Sequence, residues 1–396
     1  MKWYGIIMNK QVLLVYAVEL MRNCGIFIVG PFVVLYLRSS DIPIITIGML
    51  FSLKGTFDVI LSLPIGHLSD TWGRKPWIIL SPLLTILTYF LFIISQSIIH
   101  FVFVFIVWNL SELSWNYSIP MYLNDIVENT SRGDALAKLS LMNTLASIAG
   151  PAVAGVTAEL SGIPSLFMVG MVTEGIILGI VMYWMRLGFS CTNNEAPVQE
   201  AQIAGKSEGM KRFLSPLRGD ILYFCLAMMV MSFAWAFLDI ATPLFLKEEL
   251  GISYVGYGTV MSIIGIIGAG AKIGVGRFTD IHGRKGMLLF STITAGICMF
   301  SIGVASSELQ FIILRGGSTI FGACMWIVWM ASFHDTIVQK RATISALIDT
   351  LSGITWAVGS LSVGIVVSLI TARSCFFFIG AVYVVTALIF SRIRSF

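Results

Sequence analysis

One ten-residue stretch occurs twice in this chain and constrains its fold more than any other feature. The first copy, GHLSDTWGRK, occupies Gly66–Lys75, and the second, GRFTDIHGRK, occupies Gly276–Lys285. The shared pattern is G-x-x-x-D-x-x-G-R-K, and each copy lies between two long apolar runs. A second, weaker repeat is also present: Asp125 and Asp335 each follow an apolar run, at corresponding places in the two halves. The chain is therefore predicted to be two halves built on one plan.

Twelve apolar runs are each long enough to cross a bilayer. Hydrophobic residues make up 57% of the 396 residues and charged residues only 12%, whereas about a quarter is usual for a soluble domain. A spanning helix needs about 20 mostly apolar residues. The sequence thus predicts an all-α polytopic membrane protein with twelve transmembrane helices in two pseudo-symmetric six-helix bundles. The predicted spans are 11–37, 44–68, 75–97, 99–122, 136–160, 164–187, 218–246, 253–277, 285–305, 309–333, 342–369 and 373–394.

The repeated loop and the twelve spans resemble the major facilitator superfamily of secondary transporters. In that family the loop joins helices 2 and 3 and recurs between helices 8 and 9, and it acts as a latch that favours the outward-facing state. The resemblance implies a latch in which an Asp70–Arg74 contact holds neighbouring helix ends together. We expect Gly66 to allow close helix contact and Gly73 to permit a tight turn. The latch residues implied for both copies are Gly66, Asp70, Gly73, Arg74, Gly276, Asp280, Gly283 and Arg284.

Polar composition predicts the division of the chain. The one long polar segment, 188–215, is predicted to be a solvated linker between bundles at 1–187 and 216–396.

Of the 25 Lys and Arg residues, four lie deep inside predicted spans and three lie in loops on one side, which leaves eighteen on the other. The positive-inside rule then predicts that both termini and the linker are cytoplasmic, in the cell membrane.

Several ionisable residues fall near the middle of the first four spans. Such groups are costly in a bilayer and mark ion or substrate pathways. At 1.5 Å rise per residue, Glu19, Arg22, Asp58 and Glu112 share one layer, with Lys54 one turn further out. Three carboxylates against two cations leave one acid under-compensated, so we expect this layer to couple transport to protons. The alternative is a static ion-pair network that fixes packing. Sodium in place of the proton stays open.

Polar and indole side chains predict a substrate cavity. Asn109, Glu112 and Asn116 form a polar stripe on helix 4, and an acid framed by indoles suits a cation or a sugar ring. By resemblance, helices 1, 4, 7 and 10 line the central cavity. The predicted cavity residues are Asn23, Trp108, Asn109, Trp115, Asn116, Trp235, Asp239, Arg315 and Trp326.

Other charged and special positions have plainer interpretations. Lys272 and Asp349 lie at the same predicted depth and are predicted to form a structural salt bridge. Glu174, in helix 6, has no assigned role. The stretch 149–155 is similar to the Gly-Pro motif that the drug-antiporter branch carries in helix 5, although a kinked helix with a small-residue face explains it more simply.

The leading functional prediction is a proton-coupled transporter that exports a small amphipathic or cationic solute by alternating access, acting as a monomer. Alternatives are a proton symporter for a sugar or organic anion, a lipid or glycolipid flippase, and a non-transporting membrane receptor. The sequence has no nucleotide loop, metal cluster or nucleophile triad. We therefore expect neither enzymatic activity nor a cofactor, a metal or a nucleic-acid partner.

Overall fold

A computed structural model describes the backbone of residues 2–128, 131–186, 219–282, 284–336 and 341–393. Within these ranges, the side chains of residues 2–9, 63, 70, 186, 273–282, 334–336 and 341–346 are not described. The described residues form twelve helices long and apolar enough to cross a membrane, which confirms the predicted fold class. The helices are α1 Lys2–Ser39, α2 Ile44–Thr71, α3 Arg74–Ile94, α4 Ile98–Ile126, α5 Arg132–Ser161, α6 Pro164–Arg186, α7 Asp220–Leu244, α8 Tyr254–His282, α9 Arg284–Ile302, α10 Glu308–Thr336, α11 Arg341–Leu369 and α12 Ala372–Ser391.

Local sequence explains where several helices begin and end. Ser97 and Thr371 precede α4 and α12, and their hydroxyls accept hydrogen bonds from the backbone N–H groups of the residue three positions on, as N-caps do. Pro243 lies near the end of α7, which continues as a π-helical turn at Phe245–Glu249. Pro243 has no backbone N–H to donate to the helix just before this turn.

Contacts divide the chain into two compact units. The first contains α1–α6 together with Gly251–Gly265, and the second contains α7, the rest of α8 and α9–α12. Gly251–Gly265 is held in the first unit in part by Tyr257, whose hydroxyl donates to the carbonyl of Pro31 at 3.0 Å.

The two units repeat the same helix pairings. In the first, α1 packs on α5 and α6, and α3 packs on α4 and α6; six helices later, α7 packs on α11 and α12, and α9 packs on α10 and α12. This correspondence is what the duplicated sequence predicts. Large apolar side chains such as Ile99, Leu160 and Leu369 are about four-fifths exposed, as suits side chains that face lipid rather than water.

Candidate functional site

Arg22 and Glu174 form an ion pair in the interior of the first unit. Arg22 Nη1 lies 3.0 Å from Glu174 Oε2, and the two side chains are 1% and 0% exposed. A buried charge is costly unless it is paired and hydrogen-bonded. Glu174, which the sequence left without a role, is therefore the counter-ion of Arg22.

Further contacts hold the guanidinium of Arg22 in this buried position, although its Nε has no hydrogen-bond partner among the described residues. Its guanidinium donates to Thr85 Oγ1 at 3.2 Å and to Ser111 Oγ at 3.3 Å. It also lies over the ring of Trp115, 4.6 Å from the centroid, within cation–π range. Arg22 thus joins α1 to α3, α4 and α6, and a solute does not reach it.

A second ion pair lies between α2 and α4 and is partly exposed. Lys54 Nζ lies 2.8 Å from Glu112 Oε2, and each side chain is 19% exposed. The same ammonium lies over the ring of Trp108, 5.0 Å from its centroid. The cation over the Trp108 ring is thus a lysine of the protein itself. Trp115, the second indole predicted beside Glu112, instead donates to Glu19 and lies under the guanidinium of Arg22.

Asp58 completes this group, one helical turn from Lys54. Asn109 Nδ2 donates to Asp58 Oδ1 at 2.6 Å and to the backbone carbonyl of Lys54 at 3.0 Å. Lys54 and Glu112 are the charged groups that act on Asp58. We call Lys54, Asp58, Glu112, Trp108 and Asn109 the α2–α4 charge cluster. With both acids ionised, it carries a formal charge of −1.

Glu19 forms a separate acidic centre whose partners are neutral. Its Oε1 accepts from Asn23 Nδ2 and its Oε2 from Trp115 Nε1, both at 2.8 Å. Asn23 Oδ1 in turn accepts from Asn143 Nδ2 of α5 at 3.0 Å. Asn143 therefore belongs to the same polar network, a role that the sequence pattern did not predict. Asn116, predicted to belong to this stripe, is exposed.

In the second unit the predicted tryptophans come together. The rings of Trp235 and Trp326 are 5.6 Å apart, and Trp326 stacks on Trp329 at 5.2 Å. Trp329 stacks in turn on Phe333, also at 5.2 Å. Trp235 and Trp326 are only partly buried, whereas Trp329 is buried. Trp235 and Trp326 therefore form a partly exposed aromatic pair, and Trp329 and Phe333 continue the stack beyond Trp326.

Arg315 lies in the same unit and is bound by hydroxyls of its own helix. Its Nη1 donates to Ser318 Oγ at 3.0 Å and to Thr319 Oγ1 at 3.3 Å. Asp239, another predicted cavity residue of this unit, is exposed.

The predicted salt bridge between Lys272 and Asp349 is not seen among the described residues. Both side chains are exposed, and Lys272 is not among the groups that act on Asp349. Equal depth along two helices does not determine which face of each helix a side chain occupies, and these two side chains do not meet.

The first repeated loop makes a tight turn with an ion pair beside it. Gly73 has φ +83°, a backbone conformation that glycine adopts without strain, as predicted. Arg74 Nε lies 2.7 Å from Asp125 Oδ2 at the end of α4. A Cβ added at Gly66 would meet no atom within 4 Å, so the predicted close helix contact there is not seen among the described residues. The side chains of Asp70 and Asp280, the surroundings of Gly276 and all of Gly283 lie outside the described residues.

The duplicated helix pairing and the duplicated loop have a counterpart among known proteins. A model of the Major Facilitator Superfamily matches residues 15–223 and again 224–395. The chain belongs to this superfamily. Membership makes it a multi-pass membrane transporter of small molecules and not an enzyme.

Individual relatives of this superfamily member are distant. Multidrug resistance protein 1 of Bacillus subtilis (strain 168) is 23% identical over 297 residues, which cover 73% of this chain and 72% of that protein. An uncharacterized MFS-type transporter of Methanocaldococcus jannaschii is 19% identical and covers 98% of both chains. The crystal structure of the nucleoside transporter NupG aligns with a TM-score of 0.78 at 15% identity, covering 96% of this chain and 98% of that one.

Proposed function

We propose that this superfamily member is a proton-coupled transporter that exports a small amphipathic or cationic solute by alternating access. The observation that carries the proposal is the α2–α4 charge cluster. It combines surplus carboxylate charge with an indole face, and its Lys54 and Glu112 are each 19% exposed. A carboxylate beside an indole is a suitable environment for an organic cation.

The charge balance of the first unit supports coupling to protons. Its membrane interior holds four carboxylates (Glu19, Asp58, Glu112 and Glu174) and two cations (Arg22 and Lys54). Arg22 is paired with Glu174, so the surplus negative charge lies on Glu19 and on the α2–α4 charge cluster. Surplus carboxylates within a membrane are the groups that proton-driven transporters use as relays.

The energy for transport would come from an ion gradient. The sequence has no nucleotide-binding loop, and one charge moving down a potential of 100 mV releases about 2.3 kcal/mol. The name of the Bacillus subtilis relative, a multidrug resistance protein, supports export of foreign compounds. The Gly-Pro stretch 149–155 is in keeping with an antiporter.

We further propose that both termini, the 188–215 segment and both repeated loops face the cytoplasm, with bundles at 1–187 and 216–396. The excess of Lys and Arg on that side supports this orientation. On this orientation, the Arg74–Asp125 pair of 2.7 Å ties the cytoplasmic ends of α3 and α4. The latch proposed for the repeated loop would act through this contact.

A second candidate is symport of a sugar or an organic anion. Arg315 is bound by the hydroxyls of Ser318 and Thr319, so its guanidinium keeps donors for a carboxylate. The partly exposed Trp235–Trp326 pair offers a surface on which a planar ring can stack. This candidate places the substrate's main contacts in the second unit, whereas export of a cation places them in the first.

Proton exchange on substrate binding distinguishes the two candidates. Purified protein in weakly buffered detergent is mixed with candidate substrates, wild type beside Glu112→Gln and Asp58→Asn. Export by exchange predicts that a cation releases protons and that Glu112→Gln abolishes the release while the protein still folds. Proton uptake on binding a sugar or an anion would favour symport. Normal, equally pH-dependent transport by both variants would mean that the cluster is structural.

A further inference from the structure

The cation site of the α2–α4 charge cluster is already occupied by the protein. Lys54 Nζ sits 2.8 Å from Glu112 Oε2 and 5.0 Å from the centroid of the Trp108 ring. These are the two contacts that an amphipathic cation would seek, a carboxylate and an indole face. We propose that Lys54 is an internal competitor, a tethered cation that a cationic substrate must displace from Glu112. The inference rests on the proposed export of cations and specifies how that site would work.

Lys54 has an alternative partner within reach when it is displaced. Asp58 lies four residues further along α2, and side chains at that spacing are neighbours on a helix face. Lys54 already acts on Asp58 electrostatically. The ammonium therefore exchanges one carboxylate for another instead of being stranded without a counter-charge in the membrane, which would be costly.

The pair that resembles this one cannot work in the same way. Arg22 also lies over a tryptophan of α4 and is paired with a carboxylate, but it and Glu174 are 1% and 0% exposed. Lys54 and Glu112 are each 19% exposed. A lysine ammonium is a compact charge on a flexible stem, whereas a guanidinium is held by several bonds at once. Exposure and side-chain type both select Lys54 as the exchangeable cation.

The charge of the cluster sets the exchange ratio. Lys54, Asp58 and Glu112 sum to −1, so one proton or one monovalent cation neutralises the group, and both together overcharge it. The other mid-membrane charged groups on helices packed against α2 and α4 are Glu19 and Arg22 of α1, and Arg22 is committed to Glu174 of α6. The remaining described charged residues of the neighbouring helices lie near helix ends (Lys10 and Arg38 of α1; Arg74 and Lys75 of α3; Arg132, Asp134, Lys138 and Glu159 of α5). One cation is thus expected to replace one proton.

The test measures binding of tetraphenylphosphonium to the purified full-length protein by calorimetry in buffers of different ionisation enthalpy, which counts the protons released. Wild type is expected to release about one proton per cation. Lys54→Gln removes the competitor and leaves two acids, so we expect roughly tenfold tighter binding with less proton release. Asp58→Asn removes the alternative partner and the surplus charge, so we expect roughly tenfold weaker binding and no proton release.

Two controls separate charge from other effects. Lys138→Gln removes an exposed lysine that pairs with Asp134 at 2.7 Å on α5, and it should leave binding unchanged. Tetraphenylborate has the same shape with the opposite charge, and neither wild type nor Lys54→Gln should bind it in the site.

The outcomes test the internal competitor and the proposed export of cations separately. If wild type binds the cation with proton release but a folded Lys54→Gln binds it no more tightly, the internal competitor is refuted and the proposed export stands. If neither protein binds any organic cation, both are refuted. Binding by Lys54→Gln alone would support the competitor. Should Lys54→Gln fail to fold, Asp58→Asn carries the test, and wild-type affinity in that variant refutes the exchange.

Discussion

Arg22 of α1 and Glu174 of α6 are 152 residues apart in sequence, yet they form the most deeply buried ion pair of the described residues. The distance from Nη1 to Oε2 is 3.0 Å, and neither side chain exceeds 1% exposure. Because each charge is compensated by the other, the pair fixes the relative position of the two helices. It also leaves Glu19, one turn away on α1, with neutral partners.

Loss of either member of this pair is expected to destabilise the fold strongly. Glu174→Ala strands a buried guanidinium, and breaking a buried pair costs about 3–5 kcal/mol. The melting temperature of the purified protein in detergent should fall accordingly.

The double variant Arg22→Met with Glu174→Leu serves as the control for that result. Replacing both charges by apolar groups removes the uncompensated charge, so the double variant should be more stable than either single one. A double variant that is as unstable as the sum of the two single variants would contradict the pairing.

The sequence predicts the polar layer in one dimension only, as depth along each helix at 1.5 Å per residue. The structure divides the four predicted residues among three centres: Arg22 pairs with Glu174, Glu19 accepts from Asn23 and Trp115, and Asp58 and Glu112 belong to the α2–α4 charge cluster. Depth does not determine which face a side chain occupies. For that reason Arg22 was not matched with Glu174, and Lys272 and Asp349, at equal depth, were matched and do not meet.

The sequence indicates that Glu174 needs a partner, but it does not indicate which residue that partner is. A carboxylate in the middle of an apolar span needs a partner, and the cations deep inside the spans of that half of the sequence are Arg22 and Lys54. Choosing between them requires the packing of α6 on α1 and α3, which the sequence pattern does not contain. The fold itself was predictable because its signals, span length and internal duplication, are one-dimensional.

The Arg74–Asp125 contact is expected to matter for transport more than for stability. The pair is partly exposed, at 19% and 37%, and such pairs contribute about 1 kcal/mol or less. Asp125→Asn should therefore melt near wild type while transport into or out of proteoliposomes slows severalfold. The charge exchange Arg74→Asp with Asp125→Arg should restore part of the rate. Restoration would be absent if Asp125 acted through another partner.

A group of polar contacts around Arg373, at the start of α12, is expected to stabilise the second unit. Glu249 in the π-helical turn accepts from both the backbone N–H and the guanidinium of Arg373, at 2.8 and 3.1 Å. Arg373 also donates to the carbonyl of Gly303 at 3.3 Å. Glu249→Gln keeps one acceptor and removes the charge, so we expect a loss of about 1–2 kcal/mol. Thermal melting at low and high salt checks this, and a loss that does not shrink with salt would argue against the ionic contribution.

The close packing of α5 on α1 gives a prediction with a matched control. Gly150, in the Gly-Pro stretch, lies so close to α1 that an added Cβ would come within 2.6 Å of Phe27 Cβ and 3.2 Å of the carbonyl oxygen of Cys24. Gly150→Ala must therefore push the helices apart, at a cost of about 1–3 kcal/mol. At Gly175 of α6 an added Cβ meets nothing within 4 Å, so Gly175→Ala should gain up to about 1 kcal/mol from helix propensity. Melting temperatures of the two variants should move in opposite directions. Equal shifts would mean that α5 and α1 do not approach at Gly150 as closely as this.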